Sequence, residues 1–376
     1  MTTPWSPRRR WGALALCTAG WWLALAPAID LVRPSRPALS TEIDAALQGP
    51  LAASDEERRR NPEWMLMAEL YSVLSWSNAA LANPERAPAL LARIDEAIEA
   101  TLAFEAEHGP LALLLPYGRT QPFRDPAGRS LFVDGEVAMM LAARLSVAEH
   151  PRFAAELDAR VEAIEGSLRR GPVASGESYP DECWTFCNTT ALAALVLADR
   201  VRGTDHRPLV DAWLEAAKRS LLDRDTGLLV SSYTWEGRHL DGPEGSSIFM
   251  VAHNLLLLDP AFAREQYQRA RDALVRGAFG FGWAREWPPG AAVRQDVDSG
   301  LVVPGLGASP GASGLALLGA AAFGDTDTQD ALLRSMELAA VPTRDEDARW
   351  YRAAGRIGNA VTSYALHFGP LWEVRT

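Results

Sequence analysis

The chain has 376 residues, 48% of them hydrophobic and 23% charged, enough to bury a large globular core. Its formal net charge is −11, and no basic block of nucleic-acid-arm length follows residue 10, which argues against a nucleic-acid partner. No Gly-rich phosphate loop, serine nucleophile elbow or dinucleotide fingerprint occurs, so no cofactor is implied.

The first element is N-terminal. Arg8, Arg9 and Arg10 precede "WGALALCTAGWWLALAPAI", which carries no charge over residues 11–29. A basic flank, an apolar run and a small-residue "APA" fit a secretory signal peptide, and the run is also just long enough for a membrane anchor. Both readings of residues 1–30 place the rest of the chain outside the cytoplasm, periplasmic or membrane-associated, because the arginines stay inside. Cys17 follows Leu16 where a lipoprotein signal needs a small residue, so lipidation is not expected. Residues 31–62 are Pro-rich and then charged ("SDEERRRNP"), which predicts a linker or arm.

From residue 63 to 376 apolar residues recur at helical spacing, with little period-two alternation. Inner-type helices, rich in Ala, Gly and Leu, start near Trp64, Gly135, Trp184, Ser247, Ala312 and Gly358. More amphipathic helices are expected over 85–107, 151–170, 207–222, 260–276 and 326–339. The spacing of the starts is too irregular for a solenoid. Six helical hairpins closed into a ring, an all-α (α/α)6 barrel, account for it. The long connections 109–133, 171–183, 223–246 and 277–311 then share one end of the barrel, where long loops are usually functional.

Those connections hold most of the unusual chemistry. "SYPDECWTFCNTTALAAL" combines Asp181, Glu182, Cys183, Cys187 and Asn188 at the entry to an apolar helix. A C-x3-C pair with no second pair and no nearby histidine lacks a zinc ligand set. A disulfide, two buried thiols, or a Cys187 facing the cavity stay open as readings. "FVDGEVAMM" places Asp134 and Glu136 at a helix start, where acids also serve as caps. Glu136 has almost entirely apolar neighbours. A carboxyl held there would favour its acid form and could act as a general acid. "RQDVDSG" brings Asp296 and Asp298 into a loop that lacks the remaining ligands of a calcium site. "YTWEGRHLDGPEG" adds Tyr233 and Glu244, with Ser246 just beyond. His253, inside "MVAHNLL", reads as a satisfied core histidine.

Over residues 178–270 the stretches "YPDECWTFCNTTALAAL", "DRVRGTDHRPLVDAWL", "LLDRDTGLLVSSY" and "LDPAFAREQYQRARDAL" resemble the linalool dehydratase/isomerase family. Looser matches extend the resemblance to about residues 64–340. It implies an (α/α)6 barrel, export by a signal peptide, a pentamer with sites between neighbouring protomers, and cofactor-free acid/base removal or movement of the hydroxyl of a small tertiary allylic alcohol. Of the family's reactive set, the second cysteine is Cys187. The first cysteine's position holds Ser178, the histidine's holds Glu136, the later tyrosine's falls near Ser246, and the early Asp–Tyr pair has no counterpart.

The expected function is therefore dehydration or isomerisation of a small alcohol other than linalool, terpenoid alcohols being candidates. Glu136, Cys187, Ser178 and Asp181 are expected to carry the chemistry. Asp134, Tyr179, Glu182, Asn188, Tyr233, Glu244, Ser246, Asp296 and Asp298 are expected around the cavity. Two other readings compete. One is a carbohydrate-active barrel pairing Glu136 with an acid from the 181–182 or 296–298 loops. The other is a non-catalytic membrane-associated barrel, which a plugged centre would favour.

Overall fold

A computed structural model describes residues 6–31, 36–291 and 300–373. The described helices are α1 (Pro7–Leu31), α2 (Arg36–Gln48), α3 (Asp55–Arg60), α4 (Pro62–Ala82), α5 (Ala87–His108), α6 (Leu131–Val147) and α7 (Pro151–Arg170). They continue with α8 (Thr185–Arg202), α9 (Arg207–Ser220), α10 (Gly245–Leu258), α11 (Pro260–Leu274), α12 (Pro310–Ala322), α13 (Thr326–Ala339) and α14 (Gly355–Leu366).

Helices α4, α6, α8, α10, α12 and α14 each pack on the next, and α14 closes on α4. This is the inner ring. Its members are apolar nearly all round, as a helix enclosed on every side must be. Small residues let them approach: a Cβ on Gly135 of α6 would stand 3.0 Å from the Ala191 Cβ of α8. Helices α5, α7, α9, α11 and α13 lie outside, each against the inner helix beside it in sequence. Their apolar stripes face inward, as Phe153, Leu157, Ile164 and Leu168 do in α7. Local signals fix the starts of the inner helices. Asn61 caps α4 through the Trp64 N–H, with Pro62 in its first turn, and Ser130 and Ser309 cap α6 and α12 in the same way.

The expected linker at residues 31–62 is largely helical. Helix α2 fills the outer place beside α14, burying Leu39, Ile43 and Leu47 against α14 and a hairpin strand. The apolar spacing 39, 43, 46 and 47 is a helix stripe, and the surrounding prolines and charges obscured it. The N-terminal segment thus completes the sixth hairpin. Helix α1 lies beside the 275–284 segment around Phe279 and Gly280, with Trp11, Leu14, Leu16 and Trp21 exposed. Among the described residues no helix is long and apolar enough to cross a membrane.

Short strands stiffen the loops that run from outer helices back to inner ones. Strands β1 (Cys183–Trp184), β2 (Ser232–Tyr233) and β3 (His239–Asp241) form one antiparallel sheet, with Cys183 opposite Tyr233 and Trp184 opposite Ser232. It ties the loop before α8 to the loop before α10. Strands β4 (Val275–Ala278) and β5 (Phe281–Ala284) make one hairpin, and β6 (Pro342–Asp345) and β7 (Ala348–Tyr351) another.

Candidate functional site

Three inner helices bring titratable side chains within electrostatic reach of one another. Helix α6 brings Glu136, α8 brings Cys187 and α4 brings Tyr71. Glu136 is fully buried, and neither of its carboxyl oxygens has a hydrogen-bond partner. Burial, and secondarily the charge of Glu63, push its pKa well above the usual carboxylate range, so it holds its proton. The Tyr71 hydroxyl is likewise buried without a partner. Burial raises its pKa strongly, with further contributions from Glu136 and Cys187. The Cys187 thiol is raised by burial and by Glu136 and Glu63, and moderated by a hydrogen bond with Ser178. Ser178 itself is fully buried and accepts a bond from the Trp184 N–H at 3.3 Å.

The next residue, Tyr179, points elsewhere. Its hydroxyl donates to Glu63 Oε2 at 2.5 Å and accepts from the Leu115 N–H at 3.2 Å. Glu63 lies in the first turn of α4 and is partly exposed. Sequence reading missed it because it stands one residue beyond the charged segment and looks like an ordinary first-turn acid. Tyr71 was missed because it occurs within an apolar helical pattern. Its place eight residues after Glu63, hence near the same face of α4, was the available signal.

Behind Tyr71 a polar chain crosses the barrel. Tyr71 stacks on Tyr364 with ring centroids 6.3 Å apart, and the Tyr364 hydroxyl meets His253 Nε2 at 2.8 Å. His253 Nδ1 meets Asn254 Oδ1 at 3.0 Å, while Asn254 Nδ2 donates to the hydroxyls of Thr189 and Thr190. The Asn254 oxygen can only accept, so His253 carries its proton on Nδ1 and takes the Tyr364 proton on Nε2. Burial lowers its pKa to about 3, which keeps the imidazole neutral.

Asp181, expected to carry chemistry, and several expected lining residues are engaged in other contacts. Asp134 is bound by Arg129 and Arg160, and Arg160 also binds Glu105. Two residues are about 200° of helix, so Asp134 lies on the outer side when Glu136 lies on the inner. Asp181 adopts a left-handed backbone at φ 58, accepts the Trp235 N–H at 3.2 Å and faces Arg124 at 3.5 Å. Glu182 accepts from the Trp184 indole at 3.2 Å. Asn188 clamps the loop before α8 through both backbone groups of Gly176. The Tyr233 hydroxyl bonds Ser175 at 2.8 Å. Glu244 stands at the N-terminal boundary of α10 without a side-chain cap bond, and the Ser246 hydroxyl donates to Glu286, a buried acid the sequence did not single out. Asp296 and Asp298 lie outside the described residues.

Cys183 and Cys187 are both free thiols, which answers the disulfide reading. Among the described residues no group of three or more His, Cys, Asp or Glu is placed to hold a metal ion.

The family model for linalool dehydratase/isomerase matches residues 139–357, more than half of the chain. The chain belongs to the linalool dehydratase/isomerase family. The matched segment contains Ser178, Asp181 and Cys187 and begins after Glu63, Tyr71 and Glu136. Among solved structures, a crystal structure of D-mannose isomerase superposes with TM-score 0.50 at 11% identity, covering 88% of this chain and 97% of that chain. A GH76 α-mannanase from Bacteroides thetaiotaomicron gives TM-score 0.49 at 11% identity, covering 89% of this chain and 96% of that chain. At that identity the D-mannose isomerase likeness is one of fold alone.

Proposed function

We propose that this family member is a dehydratase or isomerase of a small alcohol, terpenoid alcohols being the leading class, working by acid/base chemistry alone. The observation that carries this reading is Glu136, a fully buried carboxyl whose two oxygens have no protein partner and whose burial favours its acid form. An unsatisfied buried carboxyl costs stability, and such a cost is kept where a group must meet a ligand. Loss of a hydroxyl needs a proton delivered to the departing oxygen. Glu136 has that proton available, and the Tyr71 and Cys187 hydrogens stand near to polarise the same oxygen. The buried apolar residues beside Glu136 on α6, Val133, Val137 and Met140, favour an alcohol carried on a hydrocarbon skeleton.

The exchange of the family's histidine for Glu136 and of its first cysteine for Ser178 supports a substrate other than linalool. The carbohydrate reading receives less support, because Asp181 and Glu182 are engaged by Trp235, Arg124 and Trp184. The decisive test incubates the full chain with a panel of primary and tertiary allylic alcohols and small sugars, with products read by mass spectrometry. Alcohol turnover that disappears in Glu136→Gln is the expected result. Turnover of a sugar with none of any alcohol would replace this reading with the carbohydrate one.

We also propose that α1 is an export leader. Its support is Arg8, Arg9 and Arg10 ahead of the apolar run and the small residues Ala26 and Ala28 near its end. The mass of the chain recovered from a cell envelope checks this. Loss of roughly the first 28 residues is expected, and an intact N-terminus would refute cleavage.

A further inference from the structure

The enclosed Glu136 can supply a proton, but dehydration also needs a group that removes one from carbon. We infer that Glu63 is that base and that Tyr179 is the residue that positions it. This rests on the dehydratase reading above and adds the second half of the reaction to it.

Glu63 is the first-turn acid of α4, and Tyr71 follows it two turns later near the same helix face. Helix α4 therefore carries both, Glu63 partly exposed at its start and Tyr71 fully buried further along. Glu63 makes itself felt at Glu136 and at Cys187, whose proton affinities its charge raises. Tyr179 donates to Glu63 Oε2 at 2.5 Å and is itself fixed. The Leu115 N–H binds its hydroxyl, Tyr117 stacks on its ring at 4.6 Å, and Gly118 leaves so little room that a Cβ there would stand 2.7 Å from the ring. Tyr179 and Ser178 are consecutive, so one loop aims Glu63 with one residue and Cys187 with the next.

The two carboxyls stand in unequal settings, one fully buried and one partly exposed and hydrogen-bonded, the arrangement that separates an acid from a base. In the forward step the carbon–oxygen bond breaks heterolytically, and the departing oxygen takes the Glu136 proton to leave as water. The Glu63 carboxylate then removes a proton from the adjacent carbon, whose C–H electron pair becomes the new carbon–carbon π bond. Glu63 ends protonated and Glu136 ionised. Transfer of one proton back to Glu136 restores both, with no oxidant or reductant involved.

The test compares Glu63→Gln, Glu63→Asp and Tyr179→Phe with the wild-type chain. With an alcohol that the wild type turns over, Glu63→Gln should lose about 10²–10⁴-fold in kcat, and Glu63→Asp should recover part of it. Tyr179→Phe should lose less, and the acid limb of its pH–rate profile should move upward. Run in reverse in heavy water, the step has Glu63 return a deuteron to that carbon, so deuterium at the adjacent carbon of recovered alcohol should vanish in Glu63→Gln. A second readout needs no substrate. The infrared carbonyl band of protonated Glu136, assigned by its loss in Glu136→Gln, should disappear at lower pH in Glu63→Gln than in wild type. Unchanged turnover together with an unchanged band titration overturns the role of Glu63 while leaving the dehydratase reading intact. Absence of alcohol turnover in the wild type removes that reading, and an unmoved band would then overturn the pairing of Glu63 with Glu136 by itself.

Discussion

Asp134 and Glu136 stand two residues apart on α6 and face opposite sides of the barrel wall. Asp134 is held by Arg129 and Arg160, whereas neither oxygen of Glu136 has a partner. One acid is tied into the structure and the other is kept out of it, by no more than the pitch of the helix.

Glu136 should therefore limit stability. Replacement by methionine, similar in length and apolar, is expected to raise unfolding free energy at neutral pH by about 1–3 kcal/mol and to abolish turnover. Thermal or urea unfolding of Glu136→Met against wild type measures this, and a destabilised variant would contradict it.

The same residue sets a pH dependence. Its folded pKa is raised well above the ordinary carboxylate value of 4.5, so between the two values the native state keeps a proton that the unfolded chain has lost. Stability from this group is then present below about 4.5 and falls as pH rises towards the folded pKa, by at most about 1.4 kcal/mol per pH unit. Glu136→Gln lacks this slope. The stability gap between Glu136→Gln and wild type should widen as pH rises from about 5 to 8, and a constant gap across that range would refute the burial account.

Much of the ring was legible because its physics is local and periodic. The outer helices over 151–170 and 326–339 begin and end where the pattern places them, since a proline or an Asp cap starts each and its apolar stripe runs unbroken. Helix α2 was not legible, because its short stripe gains meaning only once α14 supplies the surface it covers. For the site, the isolation of Glu136 among apolar neighbours was visible in the sequence. The tasks of Asp181 and Asn188 were not, because both depend on backbone groups that only the folded loops bring near. Glu63 joins Tyr179 across 116 residues of sequence, a contact that no spacing rule anticipates.

Arg160 offers a contrast with Glu136. It is buried and bridges Glu105 and Asp134, both nearly buried themselves. Removing it leaves Glu105 without its cation and Asp134 with Arg129 alone, so Arg160→Met should cost about 3–5 kcal/mol of stability. Urea unfolding checks the magnitude. A near-neutral effect would mean that the acids are satisfied by Arg129 alone.

The thiols should differ sharply in reactivity. Cys17 is exposed on α1, whereas Cys183 and Cys187 are buried and burial raises the pKa of both. The thiolate is the reactive form, so both inner thiols should stay unlabelled by iodoacetamide at pH 8 in the native protein while Cys17, where the leader is retained, reacts. Labelling followed by peptide mass spectrometry reads this directly. Rapid native labelling of Cys187 would show that its pocket opens to reagents, and would move the thiol from a hydrogen-bonding role towards a nucleophilic one.

Helix α2 should be an integral part of the barrel. Ile43 is fully buried, and the neighbouring Asp44 accepts a bond from Ser363 of α14 at 2.6 Å. Ile43→Ala removes apolar volume at that seam and should cost about 2–5 kcal/mol if the cavity persists. Ser363→Ala leaves Asp44 without that bond and should cost about 1–3 kcal/mol. The two sites are close enough to share packing, so the double variant should depart from the sum of the single effects. Urea unfolding of the three variants decides the matter. Two negligible single effects would show that the segment before residue 62 is a tether rather than the outer half of the sixth hairpin.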